Sequence, residues 1–172
     1  MKVLITGSNG QLGSEIRELA ANYSKLDLVF RNSHELDICS FEALQDFIID
    51  HKINVVINCA AYTAVDKAEE DGEIAERVNS MGVSNIVNAL AKVNGKLIHI
   101  STDYVFDGDH FLPYKESDPV SPIGAYGETK RAGELAVINS DIDSIVIRTS
   151  WLYSSYGNNF VKTMLRLGNE KE

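Results

Sequence analysis

Five short apolar runs, rich in Val and Ile, alternate along the chain with segments of a different period. The runs cover residues 3–5, 28–30, 55–57, 97–100 and 145–147. They are almost continuously apolar, which is typical of parallel strands covered on both faces. The order of strands and helices therefore predicts an α/β fold with a doubly wound parallel sheet and right-handed crossovers.

The segments between the runs repeat apolar residues at i, i+3, i+4 and i+7, which gives a helix one apolar face. Such stripes are Ile16/Leu19/Ala20/Tyr23, Phe41/Leu44/Phe47/Ile48 and Val83/Ile86/Val87/Leu90. Ser40 precedes the second stripe and is a candidate N-cap. A last helix is expected over 160–167, and the polar residues 168–172 after it make the single domain, residues 1–172, look truncated.

The composition fits one ordinary globular domain. The 172 residues are 44% hydrophobic and 24% charged, and 25 acidic against 16 basic residues give a net charge of −9. This charge, without any Lys/Arg run, disfavours nucleic acid as a partner. Cys39 and Cys59 make no disulfide framework or metal cluster, and the chain shows neither a secretory signal nor an apolar run of about 20 residues. We therefore expect a cytoplasmic protein with no membrane partner.

A glycine-rich turn follows the first strand and opens the first helix. It reads Gly7-Ser8-Asn9-Gly10-Gln11-Leu12-Gly13, a spacing close to the dinucleotide-binding fingerprint. Gly7 would allow a tight turn, Gly10 would let backbone N–H groups approach a pyrophosphate, and Gly13 would let the helix pack close to the sheet. The positive end of the helix would face the pyrophosphate. The turn, including Asn9, Gln11 and Leu12, predicts a Rossmann-like domain that binds a nicotinamide dinucleotide.

The end of the second strand bears on which cofactor is bound. NAD-binding proteins tend to have a carboxylate there for the ribose 2′-hydroxyl, whereas an Arg suits the 2′-phosphate of NADP. The strand here leads into Arg31, with no carboxylate at its tip. This favours NADP(H), with NAD(H) as the alternative, while an ordinary surface Arg stays open. Asp37 and Ile38 are candidates to flank the adenine, unless Asp37 only caps the next helix.

Small residues end the third strand. Ala60 and Ala61, followed by Tyr62, would let the backbone approach the cofactor closely, although tight packing explains the alanines equally well. Asn79, in the helix that follows, is a candidate to orient a lysine or a water beside the cofactor. The alternative is an ordinary helix surface residue.

A phenol and an ammonium lie four residues apart, at Tyr126 and Lys130, on one face of a predicted helix. The pKa of a free tyrosine, about 10, is too high for efficient proton exchange at neutral pH, and a lysine charge nearby is expected to lower it. Thr102, at the end of the fourth strand, would donate to a substrate carbonyl oxygen, with Ser101 in reserve because it faces the other side. All three prolines lie between Asp103 and Ala125, which predicts an ordered active-site loop.

Together these features resemble the extended short-chain dehydrogenase/reductases and, more closely, the dTDP-4-dehydrorhamnose reductases. The closer resemblance is carried by longer motifs: NCAAYTAVDKAE at 58–69, STDYVFDG at 101–108, AYGETK at 125–130, RTSWLY at 148–153 and GNNFVKTM at 157–164. The resemblance covers the whole chain.

The resemblance implies an NAD(P)H-dependent reduction of the 4-keto group of dTDP-4-dehydro-6-deoxy-L-mannose to dTDP-L-rhamnose. It implies that Tyr126 is the general acid, that Lys130 holds the nicotinamide ribose and tunes Tyr126, and that Thr102 polarises the ketone. Asp103, Tyr104 and Trp151 match positions near the sugar, although Trp151 could instead belong to the core.

Two departures from the family limit what is implied. Family members have much longer chains, whose C-terminal part holds much of the nucleotide-sugar site, so this chain is expected to bind cofactor with little or no turnover. Some members bind magnesium at a dimer contact through a Glu that matches Glu15, but the other ligands would lie in the absent part. We therefore predict no complete metal site here, and a homodimer stays open.

Two other readings share the same fold. Sugar-nucleotide 4,6-dehydratases and related epimerases carry the same triad, but the dehydratases have a Glu where this chain has Tyr104. A non-catalytic NADP-binding regulatory subunit is the second alternative. The intact set of Thr102, Tyr126 and Lys130 favours an enzyme over that subunit.

Overall fold

The computed structural model describes residues 1–170 and contains a five-stranded, fully parallel sheet in the order β2-β1-β3-β4-β5. Lys171 and Glu172 lie outside the described residues. The strands are β1 Lys2–Thr6, β2 Asp27–Arg31, β3 Val55–Asn58, β4 Lys96–Thr102 and β5 Ser144–Thr149. This arrangement confirms the predicted α/β, doubly wound parallel sheet.

Helices connect the strands. They are α1 Gln11–Leu19, α2 Phe41–Asp50, α3 Gly72–Glu76, α4 Gly82–Ala91, α5 Ala125–Ile138 and α6 Phe160–Glu170. Short 3₁₀ helices cover Ala20–Asn22, Asp66–Glu69 and Asp103–Val105, and a π-helical turn, Arg77–Met81, joins α3 to α4. In the part of the chain that the structure describes, no helix is long and apolar enough to cross a membrane.

The core lies mainly on one face of the sheet. Helices α2, α4 and α5 cover this face and bury a continuous cluster that includes Leu4, Val56, Ile86 and Leu97. On the opposite face, Ile16 of α1 packs with a smaller cluster around Val3, Ile5 and Val55. Helices on both faces explain why β1 and β3 have nearly continuous apolar sequences.

Two predictions about burial are wrong. Ile145 and Ile147 of β5 are 59% and 44% exposed, because among the described residues no helix covers that face of the edge strand. In the first helical stripe, Leu19 and Tyr23 are also exposed. The α-helix ends at Leu19 and a 3₁₀ helix follows. Tyr23 follows this 3₁₀ helix and therefore lies outside the α-helix whose period the stripe assumed.

The ends of two helices also differ from the sequence prediction. Ser40 is the N-cap residue of α2, but its side chain makes no capping hydrogen bond. Helix α6 continues three residues past Leu167 to Glu170. Arg166 pairs with Glu170 one turn later, at 2.8 Å, and such i,i+4 pairs support a helix end.

The strand order determines where a ligand can bind. The chain leaves β1 outward to β2 and then crosses back over β1 to reach β3. The connections on either side of this point leave in opposite directions and open a crevice at the carboxyl ends of β1 and β3. The glycine turn follows β1 and Cys59-Ala60-Ala61 follows β3, so both segments meet at this crevice.

Candidate functional site

Two glycines of the turn allow close backbone packing. Gly7 has a φ of +62°, and a Cβ placed on it would lie 2.5 Å from the backbone nitrogen of Ala60. A Cβ on Gly13 would lie 2.6 Å from the carbonyl oxygen of Gly7. The turn is therefore pressed against the end of β3 on one side and against the start of α1 on the other, as the spacing predicts.

The N-terminus of α1 opens into the crevice. Its N-cap is Gly10, which has no side chain to accept from the first N–H groups, and no acidic residue lies in the first turn. The first intrahelical bond runs from the N–H of Ser14 to the carbonyl of Gly10, so the N–H groups of Gln11, Leu12 and Gly13 have no intrahelical acceptor. These donors and the helix dipole favour an anion.

A first cleft of about 340 Å³ lies between the turn and the ends of β2 and β3. The predicted residues that line it are Gly7, Asn9, Gly10, Asp37, Ile38, Ala60, Ala61 and Tyr62. Asn32 and Ser33 line it as well, but Arg31 does not. Arg31 donates from Nη1 to the carbonyl of Phe30 at 2.8 Å, and its guanidinium lies 5.0 Å from the centre of the Phe47 ring.

Asp37 is engaged by its neighbours. One carboxylate oxygen accepts from the N–H of Cys39 at 2.9 Å, and the other accepts from Arg77 at 3.2 Å. Burial pushes the pKa of Asp37 up, but these contacts outweigh it and hold the pKa below its usual range. The helix α2 that follows has Ser40 as its N-cap residue, so Asp37 does not cap it.

A second cleft, of about 560 Å³, contains the predicted catalytic side chains. Thr102, Tyr126 and Lys130 line it together with Gln11 and Leu12 of α1. Gly10, Cys59 and Ala61 line both clefts. The two clefts therefore adjoin along the carboxyl edge of the sheet. Burial raises the pKa of the Cys59 thiol to about 12, so this shared wall carries no thiolate at neutral pH.

Thr102 and Tyr126 lie side by side in this cleft. The Thr102 hydroxyl donates to Asp103 Oδ1 and accepts from the N–H of Tyr104, both at 3.2 Å. Burial raises the pKa of Tyr126, Asp103 and Tyr104 add to the rise, and hydrogen bonding to the Thr102 hydroxyl opposes it. The sequence predicted a lowered pKa. The direction is reversed because Tyr126 is partly desolvated.

Lys130 lies deeper in the cleft than Tyr126. It is 2% exposed, and its Nζ donates to the carbonyl oxygen of Ile100 on β4 at 2.7 Å. Burial lowers the pKa of Lys130 to about 8, with the charge of Glu134 acting in the opposite direction. Lys130 is thus cationic at neutral pH and becomes neutral only a little above it.

The three residues predicted near a sugar lie together at the mouth. Asp103, Tyr104 and Trp151 line the second cleft and also an adjoining cleft of about 550 Å³. The Tyr104 ring meets the Tyr126 ring edge-on at 5.5 Å. Trp151 is 65% exposed and has a φ of +46°, so the alternative that it belongs to the core is wrong.

The side chain of Asn79 is buried between the segment after β3 and helix α5. It is 1% exposed, so it is not a helix surface residue, and its contacts are with Tyr62 and Thr129 rather than with Lys130. Its amide accepts from the N–H of Tyr62 at 2.9 Å and donates to the Tyr62 carbonyl and the Thr129 hydroxyl. A Cβ on Gly133 would lie 2.2 Å from the Asn79 carbonyl oxygen. Asn79 therefore joins the segment after β3 to helix α5.

Sequence reasoning missed two charged residues that position α5. Glu69, from the 3₁₀ helix after β3, accepts from the N–H of Ala125 at 2.8 Å and so caps the helix. Glu134 is fully buried and pairs with Arg148 of β5. The sequence did contain a signal for Glu134, because a residue four positions after Lys130 lies on the same face of a helix. Nothing in the sequence pointed to Glu69, because its contact spans 56 positions.

The family of the chain follows from comparison with known proteins. The family described as RmlD substrate binding domain matches residues 1–172. The chain belongs to this family. A curated relative named dTDP-4-dehydrorhamnose reductase, from Burkholderia thailandensis, is 45% identical over 172 residues, which are 100% of this chain and 57% of the relative. The chain therefore spans somewhat more than half of the length of that family member.

Solved structures named dTDP-4-dehydrorhamnose reductase have the same fold. A dTDP-4-dehydrorhamnose reductase from Clostridium acetobutylicum superposes with a TM-score of 0.94 at 45% identity, covering 99% of this chain and 60% of that one. Another, from Bacillus anthracis and in complex with NADP, gives a TM-score of 0.95 at 43% identity with the same coverage. These superpositions confirm the Rossmann-like assignment.

Glu15, the residue that the resemblance relates to magnesium in some family members, lies on helix α1. Among residues 1–170, no three His, Cys, Asp or Glu side chains form a group that could hold a metal ion. Glu15 instead accepts from the Ser154 hydroxyl at 2.6 Å, and nearby Asn159 donates to Gln11 at 3.0 Å. Both contacts attach the segment after β5 to helix α1.

Proposed function

We propose that residues 1–172 are the NAD(P)-binding domain of a dTDP-4-dehydrorhamnose reductase and that the complete protein reduces the 4-keto group of dTDP-4-dehydro-6-deoxy-L-mannose. The observation that carries the proposal is the meeting of Thr102 and Tyr126 in one cleft that adjoins the start of α1. Membership of a family whose relatives are named dTDP-4-dehydrorhamnose reductase supports the substrate. The product would be dTDP-L-rhamnose.

The residues of the two clefts fit a nicotinamide dinucleotide. The free N–H groups at Gln11, Leu12 and Gly13 suit the pyrophosphate, the first cleft suits the adenosine, and Lys130 in the second cleft suits the nicotinamide ribose. When bound, the cofactor supplies the hydride.

We propose a preference for NADP(H), with NAD(H) as an alternative. Asn32 and Ser33, which follow β2 and line the first cleft, have no carboxylate of their own for the ribose 2′-hydroxyl of NAD. Arg31 would have to leave the Phe47 ring to reach the 2′-phosphate of NADP. The Bacillus anthracis relative in complex with NADP supports the same preference.

In the reaction, Tyr126 would donate a proton to the oxygen that was the ketone. Its raised pKa keeps the phenol protonated at neutral pH, so the acid form is the one available. Thr102 would turn its hydroxyl proton from Asp103 toward the ketone oxygen and polarise it. Lys130, cationic at neutral pH, would favour the tyrosinate that remains.

The sugar would lie against Asp103, Tyr104 and Trp151 at the mouth of the cleft. An exposed indole can cover an apolar sugar face, and a carboxylate accepts from sugar hydroxyls. Because the chain spans 57% of a reductase relative, the remaining contacts to the nucleotide would come from outside these residues. We propose that the chain alone binds cofactor with little turnover. The cytoplasmic location and the homodimer stay predictions.

The test is Tyr126→Phe in a complete reductase that carries this chain. Loss of a general acid costs about 10²- to 10⁴-fold in rate, so kcat for NADPH oxidation with the dTDP-4-keto sugar should fall by that factor while the Kd for NADPH stays unchanged. Tyr23→Phe, an exposed tyrosine outside the clefts, is the matched control and should leave both values unchanged. A Tyr126→Phe enzyme with normal kcat would remove Tyr126 from the mechanism. No oxidation by the unmutated complete protein would favour a regulatory subunit instead.

A further inference from the structure

Glu134 is a buried carboxylate on α5, the helix that also carries Tyr126 and Lys130. It is 0% exposed and lies one turn after Lys130 on α5, so both side chains lie on one face of that helix. Burying an isolated carboxylate is very unfavourable. Its presence here therefore requires compensating charges, and the neighbouring strand supplies them.

Both carboxylate oxygens of Glu134 are occupied by arginines. Arg148 of β5 donates from Nε to one oxygen and from Nη2 to the other, each at 2.8 Å, and Arg131 donates to the second oxygen at 2.8 Å. A bidentate Arg–carboxylate pair fixes both partners in orientation as well as in charge. Burial alone would raise the pKa of Glu134, but these hydrogen bonds lower it to about 2, so the carboxylate stays ionised.

Arg148 extends the connection to the loop after β4. Its guanidinium lies 4.9 Å from the centre of the Phe106 ring, and Phe106 directly follows the 3₁₀ helix Asp103–Val105. Glu134 and Arg148 thus join α5, β5 and the segment that begins at Thr102. These are the elements that carry the proposed catalytic and sugar-binding side chains.

Among the groups around Lys130, Glu134 is the ionised carboxylate on the same face of the same helix. His99 of β4 is fully buried, and burial together with the Lys130 charge lowers its pKa to about 3, so it is neutral at working pH. Tyr126 on α5 is also neutral, and Asp103 and Tyr104 lie at the mouth of the cleft. Among these groups, it is Glu134 whose charge raises the pKa of Lys130.

We infer that Glu134 is a positioning residue: its carboxylate, held by Arg148 one helical turn from Lys130, keeps the Lys130 ammonium charged. The inference rests on the proposed function, in which Lys130 holds the nicotinamide ribose and supports the tyrosinate. A purely structural ion pair between α5 and β5 would stabilise the fold but would not control the charge of Lys130. The two roles therefore differ in the titration of Lys130.

The experiment is a pH titration of Lys130 in the full 172-residue chain without cofactor. NMR of lysines labelled with carbon-13 at the ε position reports the protonation of Lys130. The signal is assigned by its loss in Lys130→Met. Glu134→Gln should lower the titration midpoint by about one pH unit or more. Glu128→Gln, which removes the same charge from an exposed position of the same helix, is the matched control and should leave the midpoint unchanged. A folded Glu134→Gln chain with an unchanged midpoint would overturn the inference.

Two further measurements apply even if Glu134→Gln does not fold. In the unmutated chain, the midpoint must lie near or above 8; a midpoint below neutral pH would contradict the inference, since Glu134 would then fail to keep Lys130 charged. Arg131, whose side chain is 26% exposed, is one of the two cations that neutralise Glu134. Arg131→Gln removes this cation. It should raise the Lys130 midpoint, and a fall would be contrary to the inference.

The pH dependence of NADPH binding gives a separate readout. In Glu134→Gln the loss of affinity at alkaline pH should begin at a lower pH than in the unmutated chain, because Lys130 loses its proton earlier. If the complete reductase fails to reduce the keto sugar while Lys130 still shifts, the proposed function fails and the role of Glu134 in the charge of Lys130 stands.

Discussion

The two clefts that adjoin at the sheet edge are built by different means. The first is made largely of backbone. At Gly7 and Gly13 the chain packs so closely that an added Cβ would lie 2.5 and 2.6 Å from neighbouring backbone atoms, and the N–H groups at the start of α1 are the hydrogen-bond donors. The second is lined by Lys130 and backed by other buried titratable side chains: Lys130, Glu134 and His99 are each at most 2% exposed. We therefore expect the first cleft to be more sensitive to added side-chain volume, and the second to be more sensitive to the loss of a charge.

This difference has a physical cause. Backbone donors at a helix start are held by the helix itself, so a phosphate there needs room more than it needs particular side chains. A proton-transfer site needs groups whose pKa values differ from those in water, and burial next to a partner charge produces such values. A buried ionised group therefore needs a partner charge or a hydrogen bond, as Glu134 has from Arg148 and Lys130 has to the Ile100 carbonyl.

The largest expected effect on stability tests the buried charges behind the second cleft. Arg148→Met removes the bidentate partner of Glu134 and leaves the buried carboxylate with Arg131 alone. Breaking a buried pair costs about 3–5 kcal/mol, and the free energy of unfolding in urea should fall by that amount. Arg166→Gln removes an arginine from an exposed pair with Glu170 and should cost under about 0.5 kcal/mol. Equal losses in the two variants would show that burial does not distinguish these pairs.

The next largest effect tests the close backbone packing of the first cleft. Gly7→Ala must place a Cβ at a φ of +62° and 2.5 Å from the Ala60 nitrogen, which should lower the free energy of unfolding by about 2 kcal/mol or more and weaken NADPH binding. Gly72→Ala, where a Cβ meets nothing within 4 Å, is the control and should change stability by less than about 1 kcal/mol. A stable Gly7→Ala chain that binds NADPH normally would contradict the shape-limited description of this cleft.

The smallest effect is a change in how the free energy of unfolding depends on pH. The pKa of His99 falls from 6.5 to about 3 on burial, so the unfolded chain binds a proton between these values that the folded chain does not. Stability is therefore full above pH 6.5 and falls as pH drops, by up to about 1.4 kcal/mol per pH unit. His99→Gln should reduce this slope between pH 6 and 5, as measured by urea unfolding at each pH. An identical slope in both chains would assign the acid sensitivity to other groups.

The same unfolding measurements at acid pH should also show the contribution of Glu134 to stability. Its pKa is lowered from 4.5 to about 2, so the stability that it contributes is present above pH 4.5 and is lost as pH falls toward 2. The His99→Gln chain should therefore keep a steep loss of stability below pH 4.5. The pH window of His99, from 6.5 to about 3, overlaps that of Glu134, from 4.5 to about 2, so the His99→Gln chain isolates the loss of stability that Glu134 causes.

Much of the site was predictable because its signals are local. The turn from Gly7 to Gly13 and the pair Tyr126 and Lys130 are recognised within a few residues of sequence, and the structure places both at the predicted cleft. Asn79 was placed in a helix after β3, but its contacts with Tyr62 and Thr129 span 17 and 50 positions. No local pattern carries such contacts.

The sequence by itself determined the alternation of strands and helices, the glycine turn and the Tyr126–Lys130 spacing, because periodicity and helix geometry act over a few residues. Only the tertiary structure decided the strand order, the exposed face of β5, the pairing of Glu134 with Arg148 and the raised pKa of Tyr126. These properties depend on which distant residues exclude water from a group and which charges they bring to it. Burial and non-local charge are produced by the folded chain as a whole.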